Sequence, residues 1–327
     1  MKLWESARLV NRDGHMTGRY DDRQTRGEEA GGSATDAVLV RQDLFPWWDA
    51  NARDLPWRFG RTTPWGVLVS EVMSQQTQMS RVVPYWQAWM AVWPDARALA
   101  EASPAEVITA WGKLGYPRRA LRLQSCARVV GEDYDDALPS TYERLTGLPG
   151  VGDYTASAVM SFAFGERIAV VDTNIRRVLS RVFLGVESQG GASTVEERSL
   201  ANTVLPDDAR ESVLWNQSVM ELGALVCTAR KPLCESCPLA GLCAFNAAGK
   251  PGLGDRPTRP RQRFKGTDRQ VRGIILDALR SRPADARVSR DELDALWSVT
   301  GQLDACLASL DDDGLIVIHH DSSISFP

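Results

Sequence analysis

Apolar side chains recur at three- and four-residue intervals along most of this chain. Trp86, Trp89, Met90 and Trp93 fall on one helical face, as do Val213, Val219, Met220, Leu222 and Val226. A period near 3.6 gives each helix one stripe to bury against its neighbours. Alternating β-branched runs are scarce. Start signals stand where the periodic stretches begin: Ser103-Pro104-Ala105-Glu106 reads as N-cap, first-turn proline and acid, and Ser140-Thr141-Tyr142-Glu143 as a second acid-led start. Residues 36–249 are therefore expected to be mostly α. Beyond them the pattern predicts a helix through Arg280, a second over Arg290–Trp297 and a third over Thr300–Asp311. An alternating run, Leu315-Ile316-Val317-Ile318, then leads to Ile324 and Phe326. Three short helices and a terminal hairpin suggest a small winged-helix-like module over 273–327.

Composition changes the picture at the two junctions. Residues 1–35 hold six basic and six acidic side chains, five glycines and almost no apolar periodicity, so a disordered tail is expected there. Residues 250–272 hold eight basic and two acidic groups with three prolines, which suits an extended basic linker attracted to phosphate. The formal charge of −4 argues against a nucleic-acid partner only if charge is evenly spread, and it is not. With 327 residues, 43% of them hydrophobic, the chain can fill the cores of two domains. It lacks the roughly 18 to 20 uncharged apolar residues of a membrane span and the apolar stretch of a signal peptide. A soluble, cytoplasmic protein is expected, with no membrane partner.

Four of the six cysteines form a C-x6-C-x2-C-x5-C run: Cys227, Cys234, Cys237 and Cys243. Four thiolates can surround one centre. Structural zinc sites usually pair two short knuckles; a single short pair with ligands arriving from longer loops fits a [4Fe-4S] cluster better. Arg230 and Lys231, inside the first loop, read either as solvated charges or as phosphate contacts on a loop the cluster keeps rigid.

Leu148-Pro149-Gly150-Val151-Gly152 lies between two helical patterns. Glycines at both turn positions permit positive φ and leave backbone N–H groups uncovered before the next helix. This is an anion nest of the helix-hairpin-helix kind, able to grip a phosphate without reading sequence. Two carboxylates interrupt apolar surroundings. Glu71, between Val69 and Val72, is either a salt-bridged core acid or a functional acid in a cleft. Asp172, between Ile168-Ala169-Val170-Val171 and Thr173-Asn174-Ile175-Arg176, reads equally as a helix N-cap.

The segments SEVMSQQTQ, WGKLGYPRRA, LPGVGDYTASA, VVDTNIRRVLSR and NQSVMELGALVC, together with the cysteine run, resemble the MutY adenine DNA glycosylases of the endonuclease III superfamily over residues 40 to 247. The resemblance implies an all-α fold: a six-helix barrel over about 66–170 and an iron-sulfur domain built from 36–65 and 171–249. DNA would lie in the cleft between them. It implies base excision repair, with adenine removed opposite 8-oxoguanine or guanine in double-stranded DNA by a monomer.

By the same resemblance, Glu71 is the general acid that protonates an adenine ring nitrogen, and Asp172 the carboxylate that stabilises the sugar oxocarbenium. Tyr154 and Asn174 organise the acids and the water. Gln75, Gln76 and Tyr116 enter the stack around the lesion, and Leu148, Gly150 and Gly152 form the phosphate-binding hairpin. Bifunctional relatives carry a lysine where this chain has Tyr154, so base release with at most weak lyase activity is expected. Lys113, the lone lysine between 36 and 230, reads as a phosphate contact or solvated charge. Two features depart from the family: Pro117 replaces a second tyrosine, and 273–327 is too short for the appended lesion-inspecting domain of many members. A pyrimidine-specific relative and a non-catalytic iron-sulfur DNA-binding protein are the competing readings.

Overall fold

The computed structural model describes residues 34–188, 190–255 and 264–327. The expected tail lies outside the described residues up to position 33, as does the middle of the expected linker, 256–263. Helix α1 (Ala34–Asn51) is followed by α2 (Pro64–Ser74), α3 (Met79–Val92), α4 (Ala96–Glu101), α5 (Pro104–Trp111), α6 (Arg118–Asp133), α7 (Tyr142–Thr146) and α8 (Asp153–Phe162). Then come α9 (Thr173–Leu179), which continues as a π turn to Leu184, α10 (Val195–Thr203), α11 (Ala209–Leu225) and the short α12 (Ala244–Ala247).

Two apolar cores organise this part. The first is built from α2–α8: Trp89 of the stripe that the helical spacing singled out packs edge-on against Trp93 at 4.6 Å, and against Trp111 of α5, which that spacing did not mark, at 5.6 Å. Offset and edge-on ring pairs are favoured because the ring edge is positive and the face negative. The second core joins Ala37, Val40 and Leu44 of α1 to Val170, Ile175, Val178, Trp215, Val219 and Leu222. Ala158 of α8 also belongs to it, so this helix faces both cores. The Ser103 start is a complete capping box, with Ser103 and Glu106 exchanging backbone hydrogen bonds.

A third core holds α13 (Asp268–Arg280), α14 (Arg290–Leu296), α15 (Thr300–Asp312) and a hairpin of β1 (Val317–Ile318) and β2 (Ile324–Ser325). The strands pair antiparallel, Val317 with Ser325 and Ile318 with Ile324, and Val288 adds one bridge to Ile324. Helix, bridge, two helices, hairpin is the order of a winged helix. The extended linker expected to reach 272 is corrected at its end: α13 begins at Asp268. Val271, Ile275, Leu276 and Leu279 line one buried stripe, and this burial outweighs the local basic composition. Ala105 and Ile108 of α5 belong to this third core as well, so the module sits on the barrel helices. No helix among the described residues is long and apolar enough to cross a membrane.

Candidate active site

Helix α2 is capped by Thr63, whose Oγ1 accepts from Gly66 N, and has Pro64 in its first turn. Two turns on, Glu71 enters a cleft of about 1420 Å³ whose wall also includes Arg58, Gln75, Gln76, Asp153, Tyr154, Asp172 and Asn174. Tyr154, in the first turn of α8, donates its hydroxyl to Glu71 Oε2 at 2.7 Å. Burial raises the Glu71 pKa to about 7; the Tyr154 hydrogen bond opposes the rise, the charge of Asp172 reinforces it and Arg58 opposes it.

Asp172 caps a helix and also lines the cleft. It is the N-cap of α9, with Oδ1 accepting from Ile175 N at 2.6 Å, and its other oxygen accepts from Asn174 Nδ2 at 2.9 Å while facing the cleft. Burial raises its pKa too, against hydrogen bonds from Ile175 and Asn174 and the charge of Arg177. The two acids are therefore unequal. Asp172 accepts from Ile175 and Asn174 and lies near the Arg177 charge, whereas Glu71 accepts from Tyr154 alone and has an anionic neighbour that Arg58 only partly offsets.

Several supporting residues had no signal in the spacing. Arg177 donates to Asn174 Oδ1 at 2.8 Å, Gly223 O at 2.6 Å and Cys227 O at 2.7 Å, tying the start of the cysteine loop to Asp172 through Asn174. Gly223 is required by this packing: a Cβ there would stand 2.7 Å from the Asn174 Cβ. Glu221, fully buried, is raised by burial but held down at about 2 by Arg53 and Arg58, which bond it at 2.7 and 2.8 Å. That pairing fixes Arg58 at the cleft wall.

Arg119 closes the other end of α2. Its guanidinium donates to Val72 O and Gln75 O, both at 2.7 Å, and lies over the rings of Trp111 and Tyr116. It thereby satisfies carbonyls that the helix end leaves open. Gln76 follows with φ 57 and Tyr116 with φ 50, both exposed and both in the left-handed region that non-glycine residues rarely occupy. Gln75 and Gln76 thus line the cleft, whereas Tyr116 does not line it and is linked to Gln75 through Arg119.

At the hairpin the expectation is corrected in one place. Gly150 has φ 78, but Gly152 is extended, with φ −98, as the N-cap of α8, and a Cβ there would meet nothing within 4 Å. Leu148 anchors the hairpin with its side chain buried in the first core. Lys113 stays largely exposed, as expected of a solvated charge, and pairs with Asp277 at 3.2 Å.

Cys227, Cys234, Cys237 and Cys243 line one small cavity together with Leu222, Val226, Leu233 and Phe245. Among the described residues no three His, Cys, Asp or Glu side chains are placed to hold a single metal ion. Arg181, 1% exposed, donates to Cys227 Sγ at 3.3 Å and to Thr228 O at 2.9 Å. Arg181 also pairs with Glu187, so its guanidinium links that carboxylate to the Cys227 sulfur, an arrangement that suits a thiolate there. Arg230 and Lys231 are exposed on the loop this cavity holds.

Residues 69–201 match the family model of the HhH-GPD superfamily of base excision DNA repair proteins, and residues 227–243 that of the iron-sulfur binding domain of endonuclease III. An adenine DNA glycosylase of Mycobacterium tuberculosis is 46% identical over 287 residues, which span 87% of this chain and 92% of the relative. One from Homo sapiens is 44% identical over 217 residues, 64% of this chain and 39% of that one. Among solved structures, a thermostable thymine-DNA glycosylase is 29% identical, with a TM-score of 0.60 over 65% of this chain and 98% of its own. With 46% identity to an adenine DNA glycosylase over 87% of its length and 92% of that relative's, the chain belongs to the adenine DNA glycosylase family.

Proposed function

We propose that this chain is a monofunctional DNA glycosylase that removes adenine mispaired with 8-oxoguanine or guanine in duplex DNA, acting as a monomer. The observation that carries the reading is the unequal acid pair, Glu71 and Asp172, on two walls of one cleft. Glu71, with a pKa of about 7, is a carboxylic acid poised to give a proton near neutral pH. It transfers that proton to an adenine ring nitrogen. The bond from the sugar to the base then breaks, its electron pair leaves with a neutral adenine, and the sugar carries positive charge. Asp172 stabilises that charge, and water adding to the sugar carbon gives up its proton to a carboxylate. Tyr154 keeps the Glu71 oxygen in place and Asn174 does the same for Asp172.

Taking a base out of the stack costs a few kcal/mol. The side chains of Gln75, Gln76 and Tyr116 offset it by filling the vacated space. Backbone N–H groups around Gly150 and Gly152, with Arg230 and Lys231, would hold phosphates. The four cysteines would hold a [4Fe-4S] cluster, whose contribution is to keep their loop rigid. Among the described residues no lysine lines the cleft, which supports base release without a Schiff-base step.

A single-turnover assay tests this with duplexes carrying adenine opposite 8-oxoguanine, adenine opposite guanine, and thymine opposite guanine, read with and without alkali. Strand breaks at adenine only after alkali are expected. Breaks at thymine would favour a pyrimidine-specific relative, breaks without alkali a lyase, and intact strands a non-catalytic protein.

A further inference from the structure

The loop between α5 and α6, residues 112–117, is held on its inner side by many bonds. Lys113 N donates to Tyr85 Oη at 3.1 Å, Thr77 Oγ1 to Leu114 O at 3.2 Å, and Trp111 Nε1 and Arg119 Nη2 to Gly115 O, each at 3.0 Å. Its outer side meets the C-terminal module. Lys113 pairs with Asp277 of α13 at 3.2 Å, and Arg118, just past the loop, with Asp313 at 3.0 Å. Asp313 is in turn fixed by Arg272 at 2.6 Å. Beneath both pairs, Ile108 of α5 is fully buried in the module core and Arg280 Nε donates to its carbonyl at 3.4 Å. Between the two bracketed cations stands Tyr116, 55% exposed and held at φ 50, a strained backbone that persists only when its surroundings impose it.

We propose that the C-terminal module is a brace for this loop, in which Asp277 and Asp313 are positioning residues that hold Lys113 and Arg118 and so fix the angle at which Tyr116 meets a duplex. The role in DNA rests on the function proposed above. Residues 268–327 carry eleven acidic groups against six basic ones, a balance that repels phosphate but suits docking onto cations of the barrel. The module therefore acts through the barrel rather than by gripping the duplex itself. Each exposed pair is weak alone, so the two carboxylates are best removed together.

The test uses the full chain with Asp277→Asn and Asp313→Asn combined, alone and in a Tyr116→Ala background. Amide exchange across 112–118 is expected to rise about fivefold while that of α8 stays unchanged. Half-saturation on an adenine-mispaired duplex is expected to need about three- to tenfold more protein, with the saturated rate of base release within about twofold. Affinity for fully paired duplex should hold or improve, because two repelling charges are gone. In the Tyr116→Ala background the same pair of changes should have no further effect on mispair binding. Unchanged exchange in the loop would overturn the brace whatever the protein's activity. Additive losses with Tyr116→Ala, or an equal loss on paired duplex, would overturn its action through Tyr116. A wild type that releases no adenine would remove the functional reading, and the exchange measurement would still decide the brace.

Discussion

Replacing Glu71 by Gln is expected to stabilise the folded protein in alkali while abolishing base release. In the wild type the Tyr154 hydroxyl donates to the Glu71 carboxylate at 2.7 Å, and the side-chain amide carbonyl of the variant can accept the same bond. The packing is thus retained and only the ionisable proton is lost. Below an ordinary pKa of 4.5 the native carboxyl is protonated in both folded and unfolded chains, and wild type and variant should be alike. As pH rises from 4.5 to about 7, the unfolded chain loses the proton while the folded one keeps it, so wild-type stability falls. Each pKa unit corresponds to ~1.36 kcal/mol, so above pH 7 the displacement costs the wild type up to ~3 kcal/mol. For a protein of this size that is on the order of 5 to 10 °C in thermal midpoint. Thermal scans of cluster-loaded wild type and Glu71→Gln at matched rates, from about pH 5 to pH 9, read the effect directly. The curves should coincide at the acid end and separate through neutrality, with the variant higher. A constant offset across the range would refute the reasoning, because it would mean that Glu71 ionises in the fold as it does in water.

Other substitutions separate catalytic from structural roles. Tyr154→Phe removes a hydrogen bond that lowers the Glu71 pKa, so the alkaline limb of the rate profile should move to higher pH by about one unit, measured by single-turnover base release across pH. Asp172→Asn keeps a good N-cap for α9 and should leave the thermal midpoint within a few degrees. Base release should fall by roughly 10²–10³ or more; a retained rate would show that Asp172 only caps the helix. Gly223→Ala forces a Cβ against Asn174 and should cost about 1–3 kcal/mol in denaturant unfolding, with a lower rate of base release. Glu221→Gln leaves Arg53 and Arg58 facing a neutral buried group and should destabilise by roughly 3 kcal/mol at neutral pH. That difference should shrink as pH falls from 4.5 to about 2, the range in which the unfolded chain takes up a proton that the folded one does not.

The helices were legible in the chain because their causes are local. The tryptophan stripe of α3, the Ser103 capping box and the three helices with terminal hairpin all follow from residues within a few positions of one another. The cysteine run and the two interrupting acids were equally visible as residue types at a spacing. What their spacing left open was which of two roles each acid takes, since burial and partners come from elsewhere in the chain. Glu71 meets Tyr154 across 83 positions, Arg177 reaches Cys227 across 50, and Arg53 and Arg58 find Glu221 across more than 160. Those pairings set the pKa values, and no local pattern encodes them. The corrections have the same origin. Gly152 is held extended by its place as the N-cap of α8, and residues 268–272 are claimed by the apolar stripe they begin. Sequence alone determined the elements and the inventory of reactive groups, whereas tertiary packing decided which groups are desolvated, which are paired and which remain free to react.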